Sequence, residues 1–237
     1  MSWRRRDFLT RMFLVGAAGL TLAQRSQSSK AFETPYDSSF FAAHSAGSAS
    51  SAAQMLPEVV RLIAPKSAVD LGSGTGEWLG ELRKLGVTDV MGVDGGWVDP
   101  AALKIPIDQF TPFDLRDKFV MDRTFDLAIS VETAEHLPPE RGEGLVADLV
   151  ALAPVVLFSA AIPGQGGMDH INERWQDYWA GLFAKHQYIA LDCLRLKFWN
   201  DPRIEWWYRQ NIILYVRRDR VEADPRLHFL ASLQPPK

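Results

Sequence analysis

The sequence predicts an α/β fold built on a seven-stranded, mostly parallel sheet covered by helices, and three observations predict it. From Pro57 onward, short apolar runs alternate with segments of helical period, the pattern of strands joined by crossover helices. The first run leads straight into V-D-L-G-S-G-T-G-E-W at residues 69–78, a strand–turn–helix unit with glycines at every second position. The last two runs, Tyr188–Leu194 and Asn211–Val216, pair like a hairpin.

Taken in order, the expected strands are Ser67–Leu71, Asp89–Val93, Ile105–Phe110, Phe125–Val131, Val155–Ala160, Tyr188–Leu194 and Asn211–Val216. The best helix spans Glu173–Lys185, where Trp175, Tyr178, Trp179, Leu182 and Phe183 form one apolar stripe of core character. Trp78, Leu82 and Leu85 repeat that spacing after the glycines, and Pro138 and Pro139 suit the first turn of a helix carrying Leu145, Leu149 and Leu152. Residues 38–56 are rich in Ser and Ala, so they are expected to pack weakly, as a mobile lid would. The division is a leader at 1–30, one domain at 31–217 and a charged, proline-containing tail at 218–237.

Composition narrows the function. With 237 residues, 47% of them hydrophobic, the chain is expected to form one domain with a sizeable core. Its 26 basic and 29 acidic residues give a net charge of -3, so no basic footprint marks a nucleic-acid partner. Cys193 is the single cysteine and cannot form an internal disulfide. Residues 4–24 place a basic cluster before an apolar stretch too short to span a bilayer comfortably, so no stable membrane insertion is expected. Arg5, Arg6, Phe8 and Leu9 resemble a twin-arginine export signal, with Thr21-Leu22-Ala23 as an acceptable cleavage site. An unstructured leader added by an upstream start codon, or a basic end lying on a membrane, is the alternative.

Glycines at 72, 74 and 76 let a ligand lie against bare main chain at a helix N-terminus. The spacing G-x-G-x-G differs from the dinucleotide fingerprint G-x-G-x-x-G, which disfavours a nicotinamide-dependent oxidoreductase. Asp70 precedes the first glycine, where it repels phosphate and attracts an ammonium group. Asp94 stands about 20 residues past the turn, where an acid commonly binds ribose hydroxyls. Asp114, in F-D-L, is placed to accept from the exocyclic amine of a base.

In this order D-L-G-S-G-T-G, V-D, F-D-L and F-D-L-A-I-S-V-E-T-A-E-H-L resemble the successive signatures of class I S-adenosylmethionine-dependent methyltransferases, over about Tyr36–Arg217. The resemblance implies a doubly wound, Rossmann-like sheet with its last strand inserted antiparallel. It further implies that Gly72, Gly74 and Gly76 hold the methionine part of the donor, Asp94 its ribose and Asp114 its adenine amine.

V-E-T-A-E-H-L puts Glu132, Glu135 and His136 on one face of a helical turn, and His170 follows on the glycine-rich loop P-G-Q-G-G-M-D-H. Two carboxylates and two imidazoles could share a divalent ion such as Mg or Mn. The pattern is similar to the E-x-x-E-H plus later histidine of small-RNA 2'-O-methyltransferases and ubiquinone-pathway O-methyltransferases. Alternatively His136 is packed or capping and His170 is a lone general base, with Glu132 the second catalytic candidate.

The loops around His170 and K-F-W-N-D-P-R-I-E-W-W-Y-R-Q-N resemble a bacterial branch of small-molecule and sugar methyltransferases. Gln165, His170, Asn172, Trp199, Asn200 and Arg203 suit hydroxylated rings. The expected function is methyl transfer to an oxygen, less readily a nitrogen, of a small hydroxylated metabolite or glycan precursor in the cytoplasm. The competing readings are a binding protein that keeps the pocket without turnover, and export to the periplasm. The oligomeric state is left open.

Overall fold

A computed structural model describes residues 38–234, so the expected leader lies outside the described residues. The elements are α1 (Ser38–Ile63), β1 (Ser67–Leu71), α2 (Glu77–Lys84), β2 (Asp89–Asp94), β3 (Phe110–Pro112), β4 (Leu127–Val131), α3 (Gly142–Leu152) and β5 (Val155–Ser159), followed by α4 (Gln176–Lys185), β6 (Tyr188–Leu191), α5 (Leu194–Phe198), α6 (Trp206–Asn211), β7 (Ile213–Arg217), α7 (Arg218–Ala223) and α8 (Pro225–Ser232). The seven strands run in the order β3-β2-β1-β4-β5-β7-β6. Pairs among the first five are parallel, whereas β7 is antiparallel to both β5 and β6. The expected antiparallel insertion is therefore present.

Successive residues of each strand feed opposite faces of the sheet. Leu127 and Ile129 join the core under α1, α2 and α8, while Ala128 between them joins the one under α3 and α4. In the second core Phe158 lies 5.1 Å from Trp179 and 5.5 Å from Phe183, and Phe183 stacks on Tyr215 at 3.9 Å. The aromatic stripe of α4 is thus core, except that Trp175 precedes the helix and is 54% exposed.

Four expectations need correction. The third strand does not occupy Ile105–Phe110: residues 107–109 form a 3-10 turn and β3 is only Phe110–Pro112. Pro106 removes a ladder donor there, and Ile105 is buried as a loop contact against Gly92. The sixth strand stops at Leu191, because Leu194 begins a helix. Residues 38–56 are not a loosely packed segment but most of a 26-residue helix with Ala52, Met55 and Leu56 fully buried. Finally, the stretch read as a tail carries α7 and α8, anchored by the buried Val221 and Leu227.

No helix among the described residues is long and apolar enough to cross a membrane. Since β1 is flanked by β2 on one side and β4 on the other, the chain reverses its winding direction there, and a crevice opens at the carboxyl ends of these strands.

Phe183→Ala is expected to lower the free energy of unfolding by roughly 3–5 kcal/mol without moving the crevice, as read from urea unfolding followed by tryptophan fluorescence.

Candidate active site

The glycine turn connects β1 to α2 at the switch point. Gly72 has φ +89°, and a Cβ added there would lie 2.2 Å from Thr133 Oγ1, so this position needs glycine for both conformation and space. The turn is held from the neighbouring strand: Gly72 N–H donates to Val93 O at 2.8 Å and Gly74 N–H to Asp94 Oδ2 at 2.7 Å. Asp94 Oδ1 accepts from Gly95 N–H at 2.6 Å, and Trp97 folds back over Gly95 to hydrogen-bond the same carboxylate. Burial pushes the Asp94 pKa up, and these donors act against that shift.

Beneath the turn Asp70 is 1% exposed, and its Oδ1 has no hydrogen-bond partner among the described residues. Burial, then the carboxylates of Asp94 and Glu77, push its pKa up to about 8. Three acids converge there, so a bound cation lowers the cost of ionising them. Glu77, in the first turn of α2, accepts from Thr75 Oγ1 and from Ser45 Oγ at 2.6 Å, which ties α1 to the turn.

The second constellation forms at the end of β4. Glu132 has φ +50°, a rare value for a residue with a side chain, and its N–H donates to Ser159 O and Oγ, both at 3.1 Å. Its carboxylate accepts from Gln165 Nε2 at 3.0 Å and Asn211 Nδ2 at 3.1 Å. Glu135 is fully buried and neither carboxyl oxygen has a hydrogen-bond partner among the described residues. Burial, then the neighbouring Glu132 carboxylate, hold its pKa well above the usual range.

The His136 ring meets the His170 ring edge-on at 4.9 Å. Burial, then the proximity of His170, bring the His136 pKa down to about 4, so its ring is neutral near pH 7. His170 Nδ1 lies 3.2 Å from Glu173 Oε1, and Glu173 also accepts from the Gly164 and Gly166 N–H groups. Ligand atoms of Glu135, His136 and His170 lie within 4.8 Å of one another.

Both constellations open into one cavity of about 450 Å³, whose lining includes Gly72 and Gly74 as well as Glu132, Glu135, His136 and His170. Met168 and Trp206, 54% and 47% exposed, also line it. No lysine or arginine among the described residues does. Four of the candidates for the donor lie outside the lining: Asp70 beneath the turn, Gly76 at the start of α2, Asp94 next to Gly74, and Asp114 in an ion pair with Arg116 that lowers its pKa.

Of the residues suggested for the acceptor, Gln165 and His170 line the cavity, whereas Arg203 is turned to Asp201 at the surface. Trp207 and Tyr208, from the W-W-Y run, line it too. Sequence reasoning missed Asn211, Glu173 and Ser45. Only the run R-Q-N before the last strand hinted at Asn211.

A parallel sheet with an antiparallel final hairpin, a bare glycine turn at its switch point and acids at the ends of the next strands together define a class I S-adenosylmethionine-dependent methyltransferase. The chain belongs to the methyltransferase-domain family, whose model matches residues 48–207. Among solved structures, DesVI of Streptomyces venezuelae has a TM-score of 0.58 at 14% identity, over 76% of this chain and 96% of that one. The sugar N-methyltransferase KedS8 from Streptoalloteichus has a TM-score of 0.56 at 16% identity, over 76% and 91%. Magnesium protoporphyrin IX methyltransferase from Synechocystis, solved with bound SAH, has 0.52 at 16% identity, over 72% and 84%. At these identities the likeness is one of fold. Among curated proteins no relative is found.

Because the folded protein holds the Asp70 proton up to about pH 8, it binds more protons than the unfolded chain between roughly pH 4 and that value. Its ligand-free stability therefore falls as pH rises through this window. Asp70→Asn is expected to flatten that part of the Tm-against-pH curve while weakening the thermal shift given by S-adenosylhomocysteine.

Proposed function

We propose that the chain transfers a methyl group from S-adenosylmethionine to an oxygen, in preference to a nitrogen, of a small hydroxylated metabolite or glycan precursor. The observation that carries this reading is the His170–Glu173 couple facing the unpartnered Glu135 carboxyl in the cavity that also holds the glycine turn. The donor fits on features of the turn itself: a cradle that a Cβ would fill at Gly72, and a buried Asp70 oxygen without a partner. Gly72, Gly74 and Gly76 take the methionine part, with Asp70 favouring its ammonium group; Asp94 takes the ribose hydroxyls and Asp114 the adenine amine. When bound, the donor supplies an electrophilic methyl on a sulfonium.

The acceptor wall must provide an oxygen nucleophile. Glu173, accepting from His170 Nδ1–H, leaves the Nε2 lone pair to take the acceptor proton. Glu132, gripped by Gln165 and Asn211, presents a fixed acceptor for a substrate hydroxyl. A divalent metal also fits the donor set, since both Glu135 oxygens lack partners and His136 is held neutral. Glu135, His136 and His170 would hold it, with Glu132 facing the same space, and it would lower the hydroxyl pKa. Carboxylates without a lining lysine or arginine favour an uncharged acceptor over a phosphorylated one. Orientation within the cavity accounts for much of the rate.

His170→Gln is expected to lower kcat by roughly 100-fold or more, with S-adenosylhomocysteine affinity kept, in an assay of S-adenosylhomocysteine release over a panel of hydroxylated acceptors. Chelation followed by Mn addition decides the role of this residue: restored turnover supports the metal, and turnover indifferent to chelation leaves His170 as a lone base. Activity belongs in the cytoplasm, where the donor is made; a mature chain beginning at Gln24 in the periplasmic fraction, found by mass spectrometry, would overturn that placement.

A further inference from the structure

We infer that Arg141 is a positioning residue for the donor's adenine ring, acting through the loop that follows β3. The inference rests on the reading of Asp114 as the partner of the adenine amine. Arg141 lies just before α3 and is 8% exposed; its ion-pair partner Asp148, within α3, is 3% exposed. The guanidinium has further work at the loop. Its Nε donates to Leu115 O at 2.9 Å, and its Nη2 donates to Asp117 O at 2.9 Å as well as to Asp148. Asp148 Oδ2 in turn accepts from Phe119 N–H at 2.9 Å. One buried pair thus pins three backbone groups of the loop that begins at Phe113 and carries Asp114.

Two further points bear on why an arginine stands here. A Cβ at Gly144 would lie 2.4 Å from Arg141 Nη1, so the helix keeps a side chain out of the guanidinium's space. A buried ion pair is also a poor way to gain stability, because apolar residues of similar volume often do as well or better. The fork of donors, by contrast, fixes carbonyls that no apolar side chain and no single ammonium can hold together.

At its other end the loop is anchored to the ribose acid's strand, since Phe113 N–H donates to Asp94 O at 2.7 Å. Asp114 is therefore held between two fixed points, and Arg116 beside it keeps its carboxylate ionised. An acceptor ordered before the ligand arrives spares the cost of ordering it on binding.

The test compares the affinities of the full chain for S-adenosylhomocysteine and S-inosylhomocysteine by calorimetry. The second ligand replaces the amine by a carbonyl that repels a carboxylate. The wild-type chain is expected to prefer the adenine form by about tenfold or more, as a hydrogen bond to a charged group warrants. Arg141→Lys should bring that ratio to within about twofold by weakening the adenine form alone, whereas a purely structural role would weaken both ligands and leave the ratio unchanged. Gly144→Ala, which crowds the guanidinium without removing it, should lower the ratio partway and serves if the first variant does not fold. A wild-type ratio retained in a folded variant overturns the positioning role and leaves Asp114 in place. A wild-type chain that binds S-adenosylhomocysteine with no preference for adenine overturns the reading of Asp114, and the inference with it.

Discussion

The hydrogen bond from Gly74 N–H to Asp94 Oδ2, at 2.7 Å, is the contact on which the rest of the crevice depends. A turn stripped of side chains has few means of holding its own shape, and this one is held by the next strand. Val93 O and Asp94 fix it from β2, while Thr133, beyond the end of β4, stands where any side chain on Gly72 would go. The same aspartate that shapes the cradle lies at the strand end assigned to the ribose. Shape and recognition thus share one carboxylate, and a change there disturbs both.

The crevice carries a concentration of acid that the surrounding protein does not neutralise. Asp70 and Glu135 are buried with orphaned oxygens, and the pKa of each is raised first by burial and then by a neighbouring carboxylate. In the ligand-free protein this arrangement favours protonated, neutral acids. A cationic ligand reverses that preference, so binding and proton release are coupled. The fold accepts this cost locally, since the two apolar cores on either side of the sheet do not depend on it.

How far this was legible in the sequence differs from element to element. The glycine turn, Asp94 and the strands β1, β2, β4 and β5 were readable because fully buried parallel strands leave apolar runs and a turn of this kind needs glycine at fixed positions. β3 was misplaced because Ile105 is apolar for a reason unrelated to strands: it fills the space above Gly92 and Gly76. α1 was underestimated because its packing relies on small residues, with Ser51 and Ala52 fully buried, and a sparse apolar pattern reads as weak. In the site, E-x-x-E-H and His170 announced themselves by residue type, and the cavity does unite them. The partners that orient them, Glu173, Gln165 and Asn211, come from loops and a helix far along the chain, and a polar residue in a loop carries no mark of the contact it will make. Arg141 and Asp148 were silent because charged residues at and within a helix read as a solvated face, and nothing in their type announces that both are buried.

Glu132, at the head of the cluster that Glu135, His136 and His170 complete, holds a positive φ of +50°, a conformation that glycine would adopt with less strain. Glycine at position 132 would ease the backbone and remove the carboxylate that Gln165 and Asn211 grip, so relief of strain there comes at the expense of the acceptor wall.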